Sequence, residues 1–167
     1  CGKNLFGGNC ERVRAIEGLG TAQADSVIAV SGALKDEVSW IYHLPDEKVD
    51  VIYNGVNYED YDGWIDAGAV RKNYNVGPAD ALVLFSGRLV YQKGPDLLID
   101  AIPGILKFHP QAKFLFAGDG EMRYTVEEQA QQLGVSHATR LLGYLKAWCL
   151  ADLYKAADCV CLPSRNE

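Results

Sequence analysis

The stretch Phe85-Ser86-Gly87-Arg88-Leu89-Val90-Tyr91-Gln92-Lys93-Gly94-Pro95-Asp96 decides how this chain is read. An apolar run, Ala81 to Phe85, stops at a glycine, two cations follow within one short loop, and a proline opens an amphipathic segment. The pattern predicts a strand, a loop and a helix start. Arg88 and Lys93 then lie beyond the carboxyl end of a strand, where a parallel α/β sheet holds its ligand. The expected ligand is an anion, and a phosphate fits best. The first amides of a helix lack backbone partners and carry the positive end of its dipole. Arginine adds a planar fork of donors and lysine a mobile point charge. Asp96 works against this, since a carboxylate in the first turn satisfies the same dipole and repels a phosphate. A solvated loop with an ordinary helix cap is the competing reading.

Downstream, Leu97, Leu98, Ala101, Ile102, Ile105 and Leu106 fall on one helical face, Pro103 should bend that helix, and His109-Pro110 ends it. Lys113–Ala117 reads as a buried strand followed by Gly118-Asp119-Gly120-Glu121. The next helix turns Val126, Ala130 and Leu133 inward and stops at Gly134. A Gly-x-Gly after a strand invites a dinucleotide site, but the third glycine is missing, with Arg123 in its place. Asp119 suits a local cap better than a base. Strand Arg140–Leu142 leads into Gly143-Tyr144-Leu145-Lys146, then a helix with Leu150, Leu153, Tyr154 and Ala157 inward. A last strand, Asp158–Leu162, stops at Pro163.

Upstream, residues 1–10 read as a glycine-rich loop without P-loop spacing, and a helix begins at Glu11 with Val13, Ile16 and Leu19 on one side. Ser26–Ser31 reads as a buried parallel strand, and Ser31 as the cap of a helix carrying Leu34, Val38, Ile41 and Tyr42. After a turn at Pro45–Lys48 comes strand Val49–Tyr53. The composition then becomes polar and acidic, so 56–77 is expected to be a connector with one short helix near Asp66–Tyr74 and a boundary between two units just before it. Alternating strands and helices of these lengths imply an α/β fold, with parallel sheets, right-handed crossovers and helices on both faces.

The 167 residues are 49% hydrophobic and 23% charged, which suits a folded protein with a sizeable core. A net charge of -6 and a pI near 5.1 argue against a nucleic-acid scaffold. No apolar run reaches membrane-span length and no signal pattern opens the chain, so a cytoplasmic protein is expected. Five cysteines form no CxxC pair. Cys159 and Cys161 read as packing residues of a buried strand, Cys1 and Cys10 as the more oxidisable ones. His43, His109 and His137 sit near element ends, as surface histidines do. Beginning at Cys1 and ending just after a strand and turn, the chain reads as a piece of something longer.

In order, Ala24–Ser31, Lys48–Val56, Gly87-Arg88-Leu89 with Lys93-Gly94, Ala117–Gly120, Ala157-Asp158 and Pro163-Ser164-Arg165-Asn166-Glu167 resemble family-4 retaining glycosyltransferases, the group that includes glycogen and starch synthases. The resemblance implies the two-domain GT-B architecture. Residues 1–55 would end the acceptor-side Rossmann-like domain, and 78–167 would be the first part of the donor domain. It implies that Arg88 and Lys93 hold the diphosphate of a nucleotide-sugar and stabilise the leaving group. Glu167 would be the first glutamate of a Glu-x7-Glu motif, contacting sugar hydroxyls. Gly87, Gly118 and Asp119 would line the donor site, and Tyr144, Leu145 and Lys146 would border the base. The implied reaction moves a sugar, glucose by family weight, to a carbohydrate or other hydroxyl acceptor with retention, without a metal or other cofactor. The second glutamate and most of the acceptor domain are missing from these residues, so they would not turn over alone. The competing functions are a non-catalytic nucleotide-binding or partner-binding module and a nucleotide-sugar epimerase of the same fold.

Overall fold

A computed structural model of the protein describes residues 10–165, the side chains of Cys10 and Asp60 excepted. Residues 1–9 of the loop expected at 1–10 and Glu167 fall outside the described residues, as does the side chain of Cys10, while the backbone of Cys10 already belongs to a helix. The chain divides into two compact units, Cys1–Val56 and Asn57–Glu167.

In the first unit, helix α1 (Cys10–Gln23) precedes strand β1 (Val27–Ala29), helix α2 (Gly32–Tyr42) and strand β2 (Val49–Val51). Ser31 caps α2 as expected, its hydroxyl accepting the Leu34 N–H at 3.1 Å. The Pro45–Lys48 turn contains a 3-10 turn at Asp46–Lys48. β1 and β2 pair in parallel, Val27 opposite Val49, and Ala29 and Val49 are buried. Two expectations fail. The β1 strand is not buried on both faces, because Ile28 and Val30 lie exposed, and the Val13, Ile16 and Leu19 stripe of α1 is exposed too. A two-stranded sheet covers too little surface to bury them, and α1 packs mainly on α2. β2 also ends two residues early. Its last ladder bond, from Ile52 N–H to Ala29 O at 2.9 Å, comes where β1 itself stops.

The second unit is a four-stranded parallel sheet in the order β5-β4-β3-β6, built from β3 (Leu82–Ser86), β4 (Lys113–Ala117), β5 (Thr139–Gly143) and β6 (Cys159–Val160). Helices α5 (Pro95–Phe108) and α6 (Arg123–Gln132) cover one face, and α4 (Ala67–Asn73) and α7 (Ala147–Ala156) the other. Strand alternation assigns the residues to the two layers. Phe85, Phe114 and Phe116 point toward Leu98, Ile99, Ile102 and Val126, while Leu82, Leu84 and Leu115 point toward Val76 and Leu153. All three phenylalanines are fully buried, each contributing about 2–3 kcal/mol of burial, and the Phe85 and Phe116 rings stack at 5.4 Å.

Several boundaries shift. The stretch 56–77 carries a one-turn helix, α3 (Glu59–Asp62), as well as α4, and both pack on α7. The buried face of α5 is Leu98, Ile99 and Ile102, whereas Leu97 and Ala101 are exposed, because the sheet touches a stripe one position further round the helix. Leu133 is exposed, as it follows the last residue of α6 and caps it. Cys159 is exposed and Cys161 only partly covered, which corrects their assignment to a buried strand. β6 is a two-residue edge paired with β3 alone.

Arg71 of α4 fastens that helix to the sheet. Its Nε donates to Ala156 O at 2.9 Å, Nη1 to Asp80 O at 3.1 Å, and Nη2 pairs with Asp158 at 2.7 Å. The Asp158 carboxylate also accepts the Leu82 N–H at 2.7 Å. That bond first, and Arg71 next, hold the Asp158 carboxyl below the usual carboxylate range. A depressed carboxyl contributes stability above its unfolded pKa and loses it as pH falls through the folded value. Melting temperature is therefore expected to drop as pH is lowered from about 5 toward about 3. Asp158→Asn should melt lower at neutral pH and show a shallower acid limb. Parallel profiles in a melting series would contradict this.

Candidate functional site

The carboxyl ends of β3, β4 and β5 open on one side of the second unit, and the loops after them meet there. After β3 the chain runs Gly87-Arg88-Leu89-Val90 and enters a 3-10 turn, Tyr91–Lys93, before Gly94 and the first turn of α5. The loop is held by backbone. Gly87 N–H donates to Ala117 O at 3.0 Å and Leu89 N–H to Asp119 O at 2.9 Å, while Leu89 O accepts the Met122 N–H at 2.9 Å. The Leu89 side chain is fully buried in the core beneath. Arg88, between two anchored neighbours, stays exposed.

Glycine is required where these loops touch. Gly118 has φ +139°, and a Cβ there would lie 1.9 Å from Gly87 O. At Gly120 a Cβ would lie 2.4 Å from Leu89 O. Gly118 N–H also donates to Gly143 O at 2.8 Å, which joins the β4 loop to the end of β5. The Gly-Asp-Gly turn therefore packs two loops together and does not form a dinucleotide fingerprint. Arg123, where the third glycine would stand, begins α6 and pairs with Glu127 at 3.3 Å. Asp119 accepts its neighbour's N–H, from Gly120 at 2.8 Å, as a local cap.

A pocket of about 290 Å³ lies over these loops, lined by Ser86, Gly87, Arg88, Ala117, Gly118, Asp119, Tyr144, Leu145 and Leu150. Of the residues anticipated from sequence, Gly87, Arg88, Gly118, Asp119, Tyr144 and Leu145 come together here. Lys93 and Lys146 do not line it. Lys93 closes the 3-10 turn at the amino end of α5, and Lys146 precedes the first turn of α7. Tyr144 is 84% exposed, which leaves its aromatic side chain open to solvent beside the pocket. Among the described residues no group of three or more His, Cys, Asp or Glu side chains is arranged to hold a metal ion.

Sequence reasoning missed Arg165. Its guanidinium forks onto Asp96, Nη1 to Oδ1 at 2.9 Å and Nη2 to Oδ2 at 2.6 Å, and Nη1 also donates to Tyr91 O at 2.7 Å. The hydrogen bonds from Arg165 hold the Asp96 carboxyl below its ordinary range. The sequence carried only half of the signal: a carboxylate in the first turn of a helix that follows a cationic loop calls for a cation, but nothing in the residue string says that Arg165 supplies it.

Residues 67–167 match the family described as glycosyl transferases group 1, and residues 11–60 match glycosyltransferase family 4. The chain belongs to the group 1 glycosyl transferases. Among its glycosyltransferase relatives, an uncharacterized glycosyltransferase of Methanocaldococcus jannaschii is 41% identical over 170 residues, covering 100% of this chain and 43% of the relative. A glycogen synthase of Mycobacterium tuberculosis is 32% identical over 163 residues, 98% of this chain and 37% of that enzyme. The chain thus spans about two fifths of the length of these relatives. Anabaena HepE in complex with UDP and glucose superposes with a TM-score of 0.80 at 27% identity, over 92% of this chain and 42% of HepE, and HepE has also been solved with UDP-glucose. The fold class is that of GT-B glycosyltransferases, α/β with Rossmann-like parallel sheets. No helix among the described residues is long and apolar enough to cross a membrane.

Proposed function

We propose that the second unit is the donor half of a retaining glycosyltransferase. In this reading it binds a nucleotide-diphosphate sugar, with glucose as the favoured sugar, and the full-length protein transfers that sugar to a carbohydrate or other hydroxyl acceptor. The supporting observation is the pocket over β3, β4 and β5, where Arg88 stands on a pinned loop beside glycines whose backbone can approach a ligand closely. A structural relative, HepE, holds UDP-glucose. Within the proposal, residues 1–55 belong to the acceptor side, 56–77 leads across, and 78–167 carries the donor site.

The chemistry follows from charge. Breaking the glycosidic bond leaves negative charge on the departing diphosphate, and a fixed cation beside it stabilises the transition state more than the ground state. Arg88 is assigned to that charge as a bidentate donor and Lys93 as a point charge at the amino end of α5. Gly87 and Gly118 admit the phosphates to the backbone, Asp119 keeps the turn in place, and Tyr144 and Leu145 border the base with Lys146 beside them. Glu167 is assigned to the sugar hydroxyls. No bound cofactor has a part in this scheme.

Calorimetric titration of the full-length protein with UDP, ADP, GDP and NAD tests the assignment, with Arg88→Ala as control. Saturable binding of one nucleoside diphosphate that is lost in Arg88→Ala is the expected result. Binding that survives the substitution would remove the pocket from donor recognition. Donor consumption is expected only with an acceptor present, which an epimerase would not need.

A further inference from the structure

We infer that Arg165 is a positioning residue of the donor site: by pairing with Asp96 and clasping the turn Tyr91–Lys93, it cancels a carboxylate that would repel the diphosphate and fixes the loop bearing Lys93. The inference rests on the donor-site assignment above.

Three independent contacts converge on that short turn. The Arg165 fork takes both Asp96 oxygens and the Tyr91 carbonyl. The guanidinium lies over the Tyr91 ring, 3.9 Å from its centroid. The Arg165 backbone N–H donates to Gln92 O at 2.8 Å. The neighbouring segment fits equally closely. Gly94 has φ +64°, and a Cβ on it would lie 2.2 Å from Pro163 O, so Pro163–Arg165 is seated directly on the turn. The Arg165 and Asp96 side chains are 21% and 18% exposed, well shielded for an ion pair near the surface.

The charge argument is separate. Asp96 is in the first turn of α5, the end whose amides and dipole are assigned to the phosphates. Like any aspartate it is ionised near neutral pH, so it places a negative charge beside the site. Its carboxylate already faces the Asp96 and Leu97 amides at that helix end, and without the Arg165 charge it would oppose a dianion there. A fork from Arg165 satisfies both oxygens at once, which a lysine cannot do. A simple staple would give a small effect, because ion pairs near the surface are worth little to stability. A positioning role predicts a defect in anion affinity that depends on charge.

The test titrates UDP, ADP and GDP into the full-length protein and into Arg165→Met, Arg165→Lys, Asp96→Asn and the Arg165→Met/Asp96→Asn double variant, with thermal melts to confirm folding. For the diphosphate that the wild type binds, Arg165→Met should weaken affinity about tenfold or more. The double variant should recover part of that loss, since the repelling carboxylate is gone. In Arg165→Met alone, affinity should rise as pH falls below about 5 and Asp96 becomes protonated. Arg165→Lys, the milder change, should fall between Arg165→Met and wild type. Wild-type affinity in Arg165→Met, or in Arg165→Lys if Arg165→Met does not fold, overturns the inference while leaving the donor assignment standing. Equal weakness in Arg165→Met and the double variant at every pH overturns the charge role. A wild type that binds none of the three overturns the donor assignment and this inference with it.

Discussion

Gly118→Ala is expected to destabilise the protein by about 3 kcal/mol or more, lowering the melting temperature by at least about 6 °C. Two costs add. The residue has φ +139°, a conformation that side-chain-bearing residues rarely adopt, and its new Cβ would sit 1.9 Å from Gly87 O. Neither neighbour can yield cheaply. Gly87 N–H is bonded to Ala117 O, and Gly118 N–H to Gly143 O, so relief on one side breaks a ladder bond on the other. Whatever moves will carry Gly87 and Arg88 with it, and donor binding should weaken together with the fold. Gly104→Ala is the internal control. Gly104 lies inside α5 with nothing within 4 Å of a built Cβ, so alanine there should raise stability by about 0.5–1 kcal/mol. Melting curves of the two variants should shift in opposite directions. A Gly118→Ala protein that melts with the wild type would mean that the β3 and β4 loops are not locked together.

The centre of the sheet was legible in the sequence because β3 and β4 are largely buried and read as nearly continuous apolar runs, whereas β5 and β6 are more open. Leu82–Phe85 and Lys113–Ala117 could be taken almost directly from the residue string. The Gly87-Arg88 and Gly118-Asp119 turns were equally visible as the points where those runs stop. Periodicity did not fix which stripe of α5 faces the sheet. Leu97 and Ile99 are both apolar, and only the position of the sheet decides that Ile99 is the buried one. In the first unit the same apolar pattern led to an expectation of burial that a two-stranded sheet cannot meet, and Ile28 and Val30 remain open. At the site, the residues lining the pocket could be anticipated one loop at a time. The Arg165–Asp96 pair could not, because it joins positions 69 residues apart through geometry alone.

Arg88→Ala is expected to lower turnover of the full-length protein at least about tenfold, and a loss of the full ~3 kcal/mol typical of one such donor would make it about 150-fold. The side chain is exposed, lines the pocket, and makes no side-chain hydrogen bond or ion pair among the described residues. Truncating it therefore removes no internal support, and the melting temperature should stay within about a degree of wild type. The anchors of the loop are Gly87, Leu89 and Met122, which the substitution leaves in place. The kinetic signature separates two roles. If Arg88 stabilises charge that develops on the leaving diphosphate, kcat and kcat/KM should fall together; if it only grips the ground-state donor, KM should rise with kcat unchanged. Arg88→Lys should recover only part of the loss, because an ammonium cannot present two parallel donors to one phosphate. Lys93→Ala should also lower turnover at least about tenfold, with a larger share in KM, since Lys93 closes the 3-10 turn before α5 and does not line the pocket. Wild-type kcat and KM in Arg88→Ala would exclude it from the reaction and move the donor phosphates away from the β3 loop.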